Sequence, residues 1–240
     1  MSMAPVGDAG LNPVIQRGLF TVEPLTEASR RVWERREHAV FGISPGNSYF
    51  QVARMAELFG WLRAEFDRVD AVIPDSALVH TYLALGYEPQ RAAKKARGEI
   101  NVLHNRVTRA WDSVGGPRAA DGLHRMSDLS SGAVYREKLA ECERVLGEDD
   151  VLRRTCAEMS REVLRIRGHE GPLTADQIEE SMRYLTAELP FFLASTDIFG
   201  VSTSLNFYHR TLPLAEVVFS GESRLRAPAR QGYATIRPAR

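Results

Sequence analysis

At 240 residues, 44% hydrophobic and 26% charged, the chain has the make-up of one soluble globular domain rather than a disordered or fibrous protein. Its 31 basic residues equal its 31 acidic ones, so net charge alone does not draw it to nucleic acid, and any such contact depends on uneven distribution. No run reaches the roughly 20 apolar residues of a membrane span. Cys142 and Cys156 lack metal-type spacing, so the expectation is a reduced, cytoplasmic protein with no metal and no membrane contact.

Residues 1–25, with three prolines and scattered glycines, read as an extended arm, and Glu27 to Arg36 as a charged approach to the first strand. His38 to Ile43 has the length and apolar content of a buried strand. From Ser48 to Val69 the apolar residues Val52, Met55, Phe59, Leu62 and Phe66 recur at helical spacing, and Asp70 to Asp75 reads as a second buried strand. Strand, helix and strand in that order predict a parallel βαβ unit with its ligands beyond the carboxyl ends of the strands, where Ser44 and Asp75 would lie. Ser44 would also face the unpaired N–H groups of a helix's first turn.

Ser76 to Leu85 is a short predicted helix stopped near Gly86, and Glu88-Pro89 opens another through proline at its first position. That helix carries Arg91, Lys94, Lys95, Arg97, Arg106 and Arg109, with His104 among them and Glu99 opposing. A third strand is expected within Gly122 to Ser127, then two amphipathic helices over Val134–Gly147 and Asp149–Arg167. Thr174 with Gln177 forms a predicted capping box for a helix that runs toward Pro190 and continues, bent, through Phe191 and Phe192 toward Gly200. Tyr184 and Glu188, four apart, share one face of it. Thr203 to His209 alternates as a strand, Thr211 to Phe219 is a last helix, and residues 221–240, with five arginines against Glu222, read as a tail. The catalytic unit is therefore expected over residues 26–220.

Two patterns overlap at Ser44. Gly42-Ile43-Ser44-Pro45-Gly46 fits Gly-x-Ser-x-Gly, the nucleophile elbow of α/β-hydrolases, which would need Ser44 backed by His209 and an acid such as Asp197. The longer string Gly-Ile-Ser-Pro-Gly-Asn-Ser-Tyr-Phe resembles the active-site segment of cyclodipeptide synthases, which join two aminoacyl groups from tRNA into a diketopiperazine. That resemblance extends in order to Tyr135, to Tyr184-x-x-x-Glu188 and to Tyr208-His209, and with Asn47 it points to the subfamily named for Asn, Tyr and His.

The resemblance implies an α/β fold: a single Rossmann-like domain with a central, mainly parallel sheet flanked by helices, like the catalytic domain of class I (Tyr/Trp-type) aminoacyl-tRNA synthetases. It implies Ser44 as nucleophile, with Gly42, Asn47, Tyr135, Tyr184, Glu188, Tyr208 and His209 as the catalytic set. Val40, Phe191 and Phe192 would lie beside the first aminoacyl side chain, and the basic helix would take tRNA. Two aminoacyl-tRNAs are the implied partners, with no DNA. Neither ATP-site motif of those synthetases, His-Ile-Gly-His or Lys-Met-Ser-Lys-Ser, is present in the sequence, and no cofactor is expected. A non-catalytic tRNA-binding module would explain the basic helix alone.

Overall fold

The computed structural model describes residues 15–116 and 118–239. In chain order they form β1 (Ile15–Arg17), β2 (Phe20–Pro24), α1 (Glu27–Arg35), β3 (His38–Gly42), α2 (Val52–Glu65), β4 (Arg68–Ile73), α3 (Leu78–Ala84), α4 (Pro89–Ser113) and β5 (Gly122–Arg125). Then follow α5 (Met126–Ser130), α6 (Ala133–Glu148), α7 (Asp150–Ile166), α8 (Ala175–Phe199), β6 (Ser204–Tyr208), α9 (Pro213–Ser220) and β7 (Gln231–Pro238). The seven strands form one sheet in the order β1-β2-β7-β6-β3-β4-β5. From β7 through β5 every pairing is parallel, whereas β2 pairs antiparallel with both β7 and β1.

This is the mainly parallel α/β sheet expected, with two corrections at its edge. Residues 15–24 of the expected arm are strands β1 and β2; residues 1–14 lie outside the described residues. The expected tail supplies β7, whose Tyr233, Ala234 and Ile236 are fully buried between β2 and β6. The physical reason is that this strand's burial depends on β2, about two hundred residues earlier, as well as on β6, so nothing local marks it beyond its alternation. The supposed charged approach is helix α1, capped by Thr26, whose hydroxyl accepts from the Ser29 N–H at 3.1 Å. α1 crosses β7 at Gly232, where a Cβ would stand 2.6 Å from Leu205 Cδ1 and 3.1 Å from Ser29 Cα.

Strands β3 and β4 are buried on both faces, and alternation divides their side chains. Phe41 packs on Phe50 and Phe59 toward α2, while Val40 and Val72 face the other way, toward α8. α8 lies across that second face and bends at Ala194, whose backbone is non-helical at φ −139° and ψ 20°. Carbonyls near the bend are taken up by side chains of the neighbouring strands. Gln231 Nε2 donates to the Phe191 and Phe192 carbonyls at 3.2 and 3.0 Å, and Asn206 Nδ2 to that of Phe191 at 3.2 Å. The Gln231 Oε1 atom accepts the Thr196 N–H at 2.8 Å.

Candidate active site

At the carboxyl edge of the parallel strands lies a cavity of about 550 Å³. Ser44 stands two residues beyond the end of β3 and half-buried in its wall. The helix does not begin there: α2 starts at Val52, eight residues on, so Ser44 does not stand at its first turn. The intervening residues are spent in turns, with Gly46 at φ +71° and Asn47 Oδ1 accepting the Tyr49 N–H at 2.9 Å. That bond fixes the Asn47 amide so that Nδ2 faces His209 Nε2, 2.9 Å away. Nε2 must then accept, which requires a neutral ring protonated on Nδ1. Burial first, then the charges of Arg210, Arg237 and Arg54, push the His209 pKa down to about 4, consistent with that state.

Strand β6 ends at the same edge, and alternation places Asn206 and Tyr208 on the cavity side. The Tyr208 hydroxyl lies 2.7 Å from Ser44 Oγ. Burial raises its pKa, an effect opposed by the Ser44 hydrogen bond, so at neutral pH it carries its proton and can pass one on. Across the cavity, α8 presents Tyr184 and Glu188 one turn apart, with the Tyr184 hydroxyl beside the Glu188 carboxylate. Both side chains reach solvent through the cavity yet are otherwise enclosed by protein. Enclosure raises Glu188 to about 7 despite the Tyr184 hydrogen bond, and lifts Tyr184 well above its ordinary value.

Gly42, Val40, Phe191 and Phe192 also line the cavity. Tyr135 does not: it is buried beneath α8 and its hydroxyl donates to the Ala187 carbonyl at 2.8 Å. The structure thus places Tyr135 behind the cavity wall, where its hydroxyl holds the turn that carries Glu188. Asp75 stands at the expected edge but is held by the Ser127 N–H and hydroxyl at 2.9 and 2.7 Å. The hydrolase triad is not built: Asp197 is ion-paired with Arg230 at 2.6 Å, and His209 faces Asn47 rather than Ser44.

Arg91, Lys94, Lys95, Arg97 and Arg109 are exposed on α4 and Arg106 is half-buried; none of the six lines the cavity. α4 reaches the site instead through Glu99. The Arg167 guanidinium, at the end of α7, donates to both Glu99 oxygens at 2.9 and 3.0 Å and to the Pro45 carbonyl at 3.1 Å, and the Tyr82 hydroxyl donates to Glu99 at 2.5 Å. A Cβ on Gly46 would stand 2.8 Å from Glu99 Oε1, so the Ser44 loop lies directly on this pair. Sequence reading missed Arg167 and Asn206. For Asn206 the signal was available, two residues before Tyr208 in an alternating strand; for Arg167 it was not, since its partners come from three other segments.

The comparisons with known proteins bear on this arrangement. The model of the cyclodipeptide synthase family matches residues 20–238. The chain belongs to that family. Among relatives of this synthase, the cyclo(L-tyrosyl-L-tyrosyl) synthase of Mycobacterium tuberculosis is 37% identical over 91% of this chain and 76% of its own. The cyclo(L-leucyl-L-phenylalanyl) synthase of Streptomyces noursei is 31% identical over 96% of each chain. A solved M. tuberculosis structure, described as relating cyclodipeptide synthetases to type I tRNA synthetases, superposes with a TM-score of 0.84 at 35% identity, covering 97% of this chain and 99% of that one. The protein is thus an enzyme of the cyclodipeptide synthase family on an α/β fold shared with its solved relatives.

Proposed function

We propose that the enzyme takes one aminoacyl group from tRNA onto Ser44, condenses it with a second aminoacyl-tRNA into a dipeptidyl-enzyme, and releases a cyclic dipeptide. The observation that carries this reading is the 2.7 Å contact between Ser44 Oγ and the Tyr208 hydroxyl, facing the Tyr184–Glu188 pair across one cavity. An aminoacyl ester is already activated, so the serine needs orientation and proton transfer more than a strong base. As Ser44 Oγ attacks the ester carbonyl, its proton passes through Tyr208 to the departing ribose oxygen, and the ester bond moves from ribose to serine.

Glu188, titrating at about 7, is suited to receive the α-ammonium of the bound aminoacyl group and to take a proton from it, leaving the amine free to attack the second ester. Ring closure is the same exchange repeated. The second α-amine attacks the Ser44 ester, the peptide bond closes the ring, and the serine oxygen recovers a proton through Tyr208. Asn47 and neutral His209, bonded to each other beside Tyr208, position it. The apolar wall formed by Val40, Phe191, Phe192 and Val163 favours apolar or aromatic aminoacyl groups. The exposed cations of α4 would meet tRNA phosphates.

Mass spectrometry of medium from a host expressing the chain is expected to show a new diketopiperazine, which identifies both substrates. Ser44→Ala should abolish the product together with a covalent aminoacyl-enzyme. A labelled aminoacyl group that stays bound to the Ser44→Ala protein would remove Ser44 from the mechanism.

A further inference from the structure

Three arginines unused by the catalytic geometry gather around His209 from separate parts of the chain. Arg54 lies in the first turn of α2, Arg210 follows β6 at the cavity rim, and Arg237 lies near the end of β7. The parallel register pairs Tyr208 with Thr235, so Arg210 and Arg237, each two residues further, leave the same sheet edge together. The Arg54 guanidinium sits 4.9 Å over the Tyr49 ring, and that ring stacks on His209 at 4.4 Å. All three charges act on the one imidazole, each disfavouring its protonation.

The three are exposed, and among the described residues none is in a salt bridge. Elsewhere near the sheet, Arg63 and Arg118 are partnered with Asp121 and Arg68 with Asp70. Like charges gathered without a counter-charge repel, and an anion bridging them removes the repulsion. Guanidinium groups match the oxygens of phosphate in pairs, and Arg54 is already held against an aromatic face.

We propose that Arg54, Arg210 and Arg237 bind the phosphodiester backbone of the single-stranded 3′ end of the aminoacyl-tRNA. This rests on the aminoacyl-tRNA reading above. The reacting ester hangs on the terminal ribose, so with its carbonyl at Ser44 the next phosphates must leave by the cavity rim. Arg210 lines that rim, and His209 meets the Ser44 loop at Asn47 and Tyr49, whereas the α4 side meets it at Pro45 and Gly46. The two basic groups therefore grip different parts of one RNA, the arginines its unpaired end and α4 its duplex.

Binding of two RNAs by three proteins tests this: a seven-nucleotide RNA ending in CCA and a full-length uncharged tRNA, titrated at several salt concentrations. For the short RNA, Arg54→Gln/Arg210→Gln/Arg237→Gln should weaken binding about tenfold or more at low salt and flatten the log–log salt slope by roughly 2. Arg91→Glu/Lys94→Glu/Lys95→Glu should leave the short RNA within about twofold, while full-length tRNA is weakened by both variants. The proposal is overturned if the glutamine variant, folded by circular dichroism, binds the short RNA with unchanged affinity and slope, or if the unaltered protein does not bind it at low salt. Failure of the underlying reading appears elsewhere, as the absence of any aminoacyl group on Ser44 with every charged tRNA tried.

Discussion

A carboxyl group set into the wall of an apolar cavity, with one tyrosine hydroxyl for company, holds its proton up to about pH 7, and Glu188 is such a group. Below that pH it is neutral and cannot pair with an ammonium. The rate of aminoacyl-enzyme formation at low substrate should therefore rise with pH through about 7, and Glu188→Gln should remove that rising limb along with most of the activity; single-turnover pH profiles of the two proteins measure this. The stability sign is opposite. A folded pKa raised from 4.5 favours the fold while the group is protonated and ceases to do so as pH climbs through about 7. Glu188→Gln should accordingly melt higher than the unaltered protein at pH 8 and alike at pH 4, so lost turnover would accompany gained stability.

Between elements, the Arg167–Glu99 pair ties the carboxyl end of α7 and the middle of α4 to the backbone beside Ser44. Lysine at 167 keeps the charge but loses the forked geometry that spans Glu99 and the Pro45 carbonyl at once. Arg167→Lys should slow the first transfer step by about tenfold, with smaller change in substrate affinity, read from kcat against KM in single-turnover experiments. Elements held by local chemistry were legible in the sequence. The Thr174–Gln177 capping box is formed by both of its bonds, at 3.2 and 3.0 Å, and the β3–α2–β4 unit is parallel as its pattern required. Helix α1 carried a readable stripe in Ser29, Val32 and Trp33, hidden behind its charges. β7 was not legible, because its burial is decided by β2 and β6; nor was the loop that separates Ser44 from α2, whose course depends on Arg167 and His209.

For the molecule as a whole, the sheet is pinned at the end opposite the cavity by a buried polar cluster. Asp70 on β4 binds His38 of β3 at 2.9 Å, His124 of β5 at 2.8 Å and Arg68 at 2.7 Å, and His38 reaches Ser204 of β6 at 2.9 Å. Burial raises the Asp70 pKa, but the hydrogen bonds of His124 and His38 and the charge of Arg68 outweigh it and leave the group at about 2. A depressed carboxylate contributes stability above its ordinary 3.8 that is lost as pH falls toward 2. Asp70→Ala should cost about 3–5 kcal/mol in urea unfolding at pH 7, where it strands two histidines and an arginine, and less near pH 3. Ser44, Asn47, Tyr184, Glu188, Tyr208 and His209, which the structure brings to one cavity, stood out in the sequence as an ordered set, while this cluster joins four strands whose adjacency only the assembled sheet reveals.

The bend in α8 has a further consequence. Gln231 holds the two phenylalanine carbonyls at 3.2 and 3.0 Å from forty and thirty-nine positions along the chain, and so braces the backbone that carries the rings of the chamber wall. If Phe191 and Phe192 receive the aminoacyl side chain as proposed, the choice of amino acid is open to tuning from outside the chamber: Gln231→Leu should then change the mixture of rings formed, read by mass spectrometry, without altering any group the substrates touch.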